Sequence, residues 1–259
     1  MNIGFIGTGV ITEAIINGII ISNYPISNIF ISLRNEQVSV RLEELSPKII
    51  VLESNQDIVD RSDMVIIAVL PEQAEDVLIQ LNFADDKQII SLVAMLQIEQ
   101  IRKWTSQTAN ICRAVPLPTV ADHNGITTVY PPNDRAEEFF GYLGQVVPVD
   151  KLEVFDAFVT AGATMGLYFD ILETVTQWLS GQGTEYQAAR NFASALFYGL
   201  AETANKTPNL TFKELRGGHS TPNGLNQKMF EDFRASNGQD ALLVSLNNLH
   251  ARIMNKRKV

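Results

Sequence analysis

Residues 2–21 read NIGFIGTGVITEAIINGIII, and this stretch decides the fold. An apolar strand-like run ends at Gly7, and beyond Gly9 the apolar residues recur with the period of a helix. The unpaired N–H groups and the positive dipole end of a helix's first turn attract a phosphate. Gly7 permits the tight turn and Gly9 lets a pyrophosphate approach the backbone, while Thr12 stands at a third position where glycine or alanine is usual. The stretch therefore predicts a dinucleotide site, with an ordinary tight strand–helix turn as the alternative.

Composition narrows the class of protein. The chain has 259 residues, 46% of them hydrophobic, which is enough for one large domain or two ordinary ones. No apolar run in the sequence reaches the roughly 18 residues of a membrane span, and the chain begins directly in a strand, so we expect neither a membrane partner nor a signal peptide. The single cysteine, Cys112, suits a reducing cytoplasm and has the apolar neighbours of a buried residue. The net charge of −9 argues against a nucleic-acid partner.

The first part of the chain, residues 1–150, predicts an α/β domain. After the first strand, apolar segments predict further strands at 28–33, 48–53, 63–69, 88–94, 110–115, 125–130 and 145–149. Helices are expected from Pro71 onward and near 97–107, since proline favours the first helical position. Strands that alternate with short helices are typical of a doubly wound parallel sheet.

From residue 151 onward the sequence pattern changes from alternating strands and helices to helices alone, and residues 151–259 predict an all-helical domain. Helical spacing covers 151–161, 165–180, 184–205, 224–236 and 239–256. These helices carry many large apolar residues, among them Phe192, Leu196, Phe197, Tyr198, Leu200 and the stripe of Leu242, Leu243, Leu246 and Leu249. So short a domain can hardly bury all of them, so we expect a homodimer or larger assembly through these helices; packing within one chain is the alternative.

The end of the second strand indicates which dinucleotide is bound. An acidic residue there would bind the 2′-hydroxyl of NAD, but the first acid, Glu36, lies past the usual position. Ser32, Arg34 and Asn35 could instead hydrogen-bond the 2′-phosphate of NADP. The sequence predicts NADPH as the cofactor, with NAD still open and a purely solvated Arg34 as the alternative.

Seven motifs in this order and spacing resemble one family over essentially the whole chain. They read GFIGTGVIT, S-x-R, DMVIIAVLPE, QIISLVA, RAVPLPTV, GITTVYP and STPNGLNQ. Together they resemble pyrroline-5-carboxylate reductase. The resemblance implies a Rossmann domain over 1–150, a helical substrate and dimerisation domain over 151–259, and NAD(P)H-dependent reduction of the cyclic imine Δ1-pyrroline-5-carboxylate in proline biosynthesis.

The chain departs from the family pattern at four segments. Leu70 replaces the lysine before Pro71, and 115–119 lacks the family's asparagine. The glycine–serine segment is altered at 161–167, and in the late loop Asn226 replaces a threonine that hydrogen-bonds the ring nitrogen. The chain therefore resembles a divergent member, whose acceptor could be another cyclic or secondary imine. A non-catalytic NADP-binding dimer is a third hypothesis, motivated by the altered 161–167 segment.

The motifs and the resemblance assign candidate site residues. Cofactor binding is assigned to Gly7, Thr8, Gly9, Val10, Ile11, Ser32, Arg34, Asn35, Val69, Leu70, Pro71 and Ala94. Substrate binding is assigned to Thr164, Ser220, Thr221, Asn223, Gly224, Leu225 and Asn226, with Thr221 and Asn226 as the catalytic pair. The loop that begins at Ser220 could hold a carboxylate or could simply cap the helix that follows.

The expected chemistry needs no strong acid at the reacting carbon. A protonated imine already carries the charge that attracts a hydride, whereas a ketone needs a proton donor. The β-hydroxyacid dehydrogenases, which the chain also resembles in layout, have a lysine on the helix after the corresponding glycine segment. No lysine follows Gly166 here, which favours imine reduction; Tyr168 could donate a proton, although a packing role is the simpler interpretation. His123 and His219 have no partner at metal-ligand spacing, so we predict no metal site.

Overall fold

The computed structural model describes residues 1–93, 96–107 and 109–256, and every structural statement below concerns those residues. The chain forms two compact units. We call Met1–Val159 with the chain end from Arg252 the sheet unit, and Thr160–Ala251 the helical unit.

Strands and helices alternate along the sheet unit. Its elements are β1 (Asn2–Ile6), α1 (Val10–Ile21), β2 (Asn28–Ser32), α2 (Glu36–Leu45), β3 (Ile49–Leu52), α3 (Asn55–Arg61), β4 (Met64–Ile67), α4 (Ala74–Leu78), β5 (Gln88–Ser91), α5 (Ile98–Trp104), β6 (Asn110–Pro116), β7 (Gly125–Tyr130), α6 (Asp134–Gly141), β8 (Gly144–Pro148) and α7 (Leu152–Gly162), which runs into the helical unit. Two 3₁₀ segments, Pro71–Gln73 and Pro118–Asp122, join β4 to α4 and β6 to β7.

The eight strands form one sheet in the order β3-β2-β1-β4-β5-β6-β7-β8. All neighbours are parallel except β6 and β7, which run antiparallel. The predicted doubly wound sheet is confirmed. The antiparallel pair was not predicted, and it follows from the connection, because a short 3₁₀ segment cannot make the long crossover that a parallel pair requires.

Both faces of the central strands are covered. In β4 the side chains alternate between two hydrophobic clusters: Met64 and Ile66 join one, and Val65 and Ile67 join the other. All four are fully buried, as the uninterrupted apolar run predicts for a parallel strand between two helical layers. Cys112 in β6 is buried as well, and burial raises the pKa of its thiol to about 12.

Helix α1 is held in place by a close approach to the second 3₁₀ segment. A Cβ at Gly18 would lie 2.4 Å from the carbonyl oxygen of Val120, so only glycine allows this contact. The ring of His123 reaches back to α1, with Nε2 2.7 Å from the carbonyl oxygen of Gly18. Since a carbonyl can only accept, His123 carries its hydrogen on Nε2 here.

Several element boundaries differ from the prediction by one to three residues, and two of them lie at the end of β4. Strand β4 ends at Ile67, two residues before the predicted Val69, because the chain turns there toward the first 3₁₀ segment. The helix expected from Pro71 begins as that 3₁₀ turn and becomes α-helical only at Ala74.

The helical unit contains α8 (Thr164–Gly181), α9 (Tyr186–Lys206), α10 (Phe212–Gly218), α11 (Leu225–Ala235) and most of α12 (Gly238–Lys256). Helix α10 was not predicted, although its start has a sequence signal. Thr211 and Glu214 form a reciprocal capping box, in which each side chain accepts a hydrogen bond from the other residue's backbone N–H.

The helical unit has little interior of its own. The buried residues in its described part are small: Thr160, Thr176, Ala189 and Ala193. Several large apolar side chains of this unit are exposed to solvent, with exposed fractions of 59% for Phe192, 64% for Trp178 and 69% for Tyr198. An exposed apolar surface of this kind is typical of a surface that another molecule or another copy of the chain covers.

One helical stretch, Leu152–Gly181, is long and apolar enough to cross a bilayer by length and composition alone. Helices α7 and α8 meet within it, at Ala163. It also carries four carboxylates, Glu153, Asp156, Asp170 and Glu173, and carboxylates are costly inside hydrocarbon. The stretch is weak evidence for a membrane span.

Candidate functional site

The turn between β1 and α1 has the geometry of an anion site. Gly7 has φ +104°, and a Cβ there would come within 2.5 Å of the carbonyl oxygen of Ala68, so the position requires glycine. Gly9 caps α1 without a side-chain hydrogen bond, and no atom lies within 4 Å of the point where its Cβ would stand. The first N–H groups of α1 therefore face open space that a diphosphate can enter.

Thr12 at the third motif position strengthens this turn. Its side chain is fully buried, and Oγ1 donates to the carbonyl oxygen of Gly7 at 2.8 Å. Thr8 ties the other side of the turn to β2, because its Oγ1 donates to the carbonyl oxygen of Ser32 at 2.8 Å. The hydroxyls compensate for the missing small residue at position 12 by fixing the turn through hydrogen bonds.

A cavity of about 450 Å³ opens at this turn, on the carboxyl edge of the parallel strands. Dinucleotides bind at that edge in open α/β sheets. Nine residues assigned to the cofactor line it: Gly7, Thr8, Gly9, Val10, Ile11, Arg34, Asn35, Val69 and Leu70. Pro71 begins the adjacent 3₁₀ turn, and Ala94 lies outside the described residues.

A second cavity, of about 300 Å³, lies beside the first and shares Gly7, Arg34 and Val69 with it. Ser32 lines it, but its side chain is buried and its Oγ lies 3.1 Å from Thr8 Oγ1. Asn35 is engaged too, because its Oδ1 accepts from the N–H of Val38 and caps α2. Arg34, an exposed side chain that lines both cavities, is the cation best placed for a 2′-phosphate.

Three polar residues that were not assigned from the sequence also line these cavities. Glu53 and Asn55 follow β3 and line the second cavity, and Gln73 follows β4 and lines the first. A positional signal existed, since residues just after parallel strands gather at the carboxyl edge of the sheet. It could be used only once the strand order was known.

In the helical unit, the residues assigned to the substrate divide between two places. Residues 220–224 lie in the turn between α10 and α11, Leu225 and Asn226 begin α11, and Thr164 begins α8. Thr164 lines a small cleft of about 100 Å³ with residues of α12, and none of residues 220–226 lines that cleft.

The turn between α10 and α11 is held by its own hydrogen bonds. Ser220 Oγ donates to the carbonyl oxygen of Arg216 at 2.8 Å, so this hydroxyl is engaged with the end of α10. Asn223 adopts φ +59°, and Gly224 N–H donates to the carbonyl oxygen of Thr221 at 2.8 Å. Asn226 Nδ2 donates to the carbonyl oxygen of His219 at 2.6 Å, which fixes the direction of its amide.

The other candidate side chains have structural partners. Tyr168 makes edge-on ring contacts with Phe169 and Phe197, as its packing interpretation expects. His219 places Nδ1 2.8 Å from the carbonyl oxygen of Leu215. Within the described ranges, no group of three or more His, Cys, Asp or Glu side chains is arranged to hold a metal ion.

This sheet, its glycine turn and the cavities at its carboxyl edge define a Rossmann-type dinucleotide-binding protein. A family model described as NADP oxidoreductase, coenzyme F420-dependent, matches residues 2–95. Pyrroline-5-carboxylate reductase of Haemophilus influenzae is 24% identical over 83% of this chain and 82% of its own length.

Solved structures share the fold of the whole chain. 1-Pyrroline-5-carboxylate reductase from Streptococcus pyogenes has a TM-score of 0.84 at 19% identity, with 98% of both chains covered. Pyrroline carboxylate reductase from Plasmodium falciparum, solved with NADP bound, has a TM-score of 0.81 at 15% identity and covers 99% of this chain and 98% of its own. Over most of its length the chain is therefore similar to pyrroline-5-carboxylate reductases in sequence, and it shares their fold.

Proposed function

We propose that this protein reduces Δ1-pyrroline-5-carboxylate to proline with NADPH. The observation that carries the proposal is the open glycine turn beside Arg34 in a chain that is similar to pyrroline-5-carboxylate reductases over most of its length. NADPH supplies the hydride when it is bound, and the protein supplies binding and orientation. The N-terminus of α1 holds the diphosphate, and the Arg34 guanidinium holds the 2′-phosphate.

The turn between α10 and α11 suits a protonated imine. Asn226 Nδ2 is committed to the carbonyl of His219, so Oδ1 is the amide atom left to accept the iminium N–H. Thr221 supplies a hydroxyl for the substrate carboxylate. The segment 220–226 contains no acidic or basic residue, which fits a substrate that already carries the charge needed to attract a hydride.

The helical unit supports a homodimer. Its described residues bury only small side chains while Phe192, Trp178 and Tyr198 stay largely exposed. A second copy that packs on these helices would remove this apolar surface from water. We place the protein in the cytoplasm, without a nucleic-acid or membrane partner, on its negative net charge and single buried cysteine.

The test is a steady-state assay on the purified protein. We expect loss of NADPH absorbance with pyrroline-5-carboxylate and formation of proline. Arg34→Asp should shift the ratio of kcat/KM for NADPH and NADH toward NADH, because a 2′-phosphate would then meet a carboxylate. An unchanged ratio would remove Arg34 from the site.

A panel of other imines separates the alternatives. Turnover with other imines alone would identify a different substrate, as the departures from the family pattern at 115–119 and at Asn226 allow. Tight NADPH binding without turnover of any imine would identify a non-catalytic NADP-binding protein.

Two variants examine the imine contact. Asn226→Leu should lower kcat/KM for the imine by about tenfold to a hundredfold, since a charged hydrogen bond contributes about 1.5–3 kcal/mol. Asn226→Thr, which restores the family residue, should retain most of the activity. Melting curves for both variants distinguish a lost substrate contact from a disrupted turn, because Asn226 also bonds the carbonyl of His219.

A further inference from the structure

The second cavity beside the glycine turn contains charges of both signs. Arg34 follows β2 and Glu53 follows β3, two parallel neighbours with Ser32 paired to Leu52. Both side chains are exposed and line the cavity of about 300 Å³, together with Ser32, Asn55 and Gly7. No ion pair within 4.0 Å joins Arg34 to Glu53 among the pairs found in the described residues. Each charge can therefore act on a ligand in the cavity.

The two charges have opposite effects on the two dinucleotides. The 2′-phosphate of NADP adds about two negative charges, which the guanidinium attracts and the carboxylate repels. NAD has a 2′-hydroxyl instead, which can donate a hydrogen bond to a carboxylate, as it does to the acid of NAD-binding Rossmann sites. Discrimination between the two dinucleotides depends on such repulsive groups as much as on attractive ones.

We infer that Glu53 is a specificity-determining residue, which weakens NADP binding and keeps the site open to NAD. This inference rests on the cofactor site of the proposed function. It assigns the carboxylate after β3 the part that an acid after β2 has in NAD-specific Rossmann proteins. Glu53 acts against Arg34, so the protein binds both dinucleotides with a moderate preference for NADP.

The experiment measures dissociation constants for NADP⁺ and NAD⁺ by calorimetry on the full chain, for the wild type and Glu53→Gln. We expect Glu53→Gln to bind NADP⁺ about three to ten times more tightly, because one repulsive charge is gone. NAD⁺ affinity should stay within about twofold, since the amide oxygen of glutamine still accepts from the 2′-hydroxyl. Glu44→Gln on α2 is the matched control: it removes the same charge from an exposed position that does not line the cavity, and it should leave both constants unchanged.

Ionic strength provides a second readout. The gain in NADP⁺ affinity should shrink as potassium chloride is raised, because exposed charges are screened. An NADP⁺ to NAD⁺ ratio within twofold of the wild type in Glu53→Gln would overturn the inference, and so would an equal effect in Glu44→Gln. Failure of the proposed function looks different: the ratio would shift as expected while no imine is turned over.

Discussion

Replacing Asp156 by leucine should destabilise the sheet unit more than a typical substitution does. Asp156 on α7 and Arg113 on β6 are 0% and 1% exposed, with Oδ1 and Nη1 4.0 Å apart. The guanidinium carbon also lies 4.6 Å from the centre of the Phe155 ring. Removing the carboxylate takes a negative charge from beside a buried guanidinium, which costs about 3–5 kcal/mol of unfolding free energy.

The matched experiment is a double-mutant cycle. In Arg113→Met with Asp156→Leu both charges are gone and the volume is largely kept, so most of the loss should be recovered. The loss that stays should be near 1–2 kcal/mol, which includes the cation–π contact with Phe155. Asp150→Leu, at an exposed position just before α7, should change stability by about 0.5 kcal/mol or less.

Urea unfolding at one fixed protein concentration measures these differences, with circular dichroism as the signal. Concentration must be fixed because association would add to the apparent stability. A loss below about 1 kcal/mol in Asp156→Leu, or a double variant as unstable as the sum of the single ones, would contradict the reasoning. Either result would mean that water or other polar groups satisfy Arg113 without Asp156.

Four further predictions concern the turn and the buried thiol. Gly7→Ala should abolish measurable nucleotide binding in calorimetry and cost at least about 1–2 kcal/mol, because alanine is strained at φ +104° and its Cβ would meet the Ala68 carbonyl. Thr12→Val should lower the unfolding free energy by about 1 kcal/mol in urea titrations, and Thr12→Ser, which keeps the hydroxyl, should restore it. Burial raises the pKa of the Cys112 thiol to about 12, so a thiol reagent at pH 8 should modify it only after urea is added. Between pH 9 and 12 the unfolded chain releases this proton while the folded chain keeps it, so stability should fall with rising pH, and less steeply in Cys112→Ala.

Local sequence patterns were sufficient to predict most of the fold. The switch from strand to helix period across Gly7 and Gly9 located the first βα unit, and the uninterrupted apolar run in β4 indicated a strand buried on both faces. The reversal of β7 was harder to foresee, because it depends on how short the connection after Pro116 is. Helix α10 was not predicted because it is short and the helical period of its apolar residues is weak, although its capping box is visible in the sequence.

In the candidate site, too, some residues could be predicted from local sequence patterns and others could not. Residues at the glycine turn and after β2 follow from the motif, so Gly7, Gly9 and Arg34 could be assigned from the chain alone. Glu53 and Asn55 could not, because their position beside Arg34 depends on β3 being the neighbour of β2. The amide of Asn226 is another example, since its orientation is fixed by a carbonyl seven residues earlier in the chain.

The hydrogen bond from Thr12 to the carbonyl of Gly7 has a consequence for how such proteins are recognised. A search pattern that demands glycine or alanine at the third fingerprint position would pass over any chain that anchors its first helical turn with a hydroxyl. What nucleotide binding selects there is a rigid joint between strand and helix. A small residue achieves it by close packing, and a threonine achieves it by tethering.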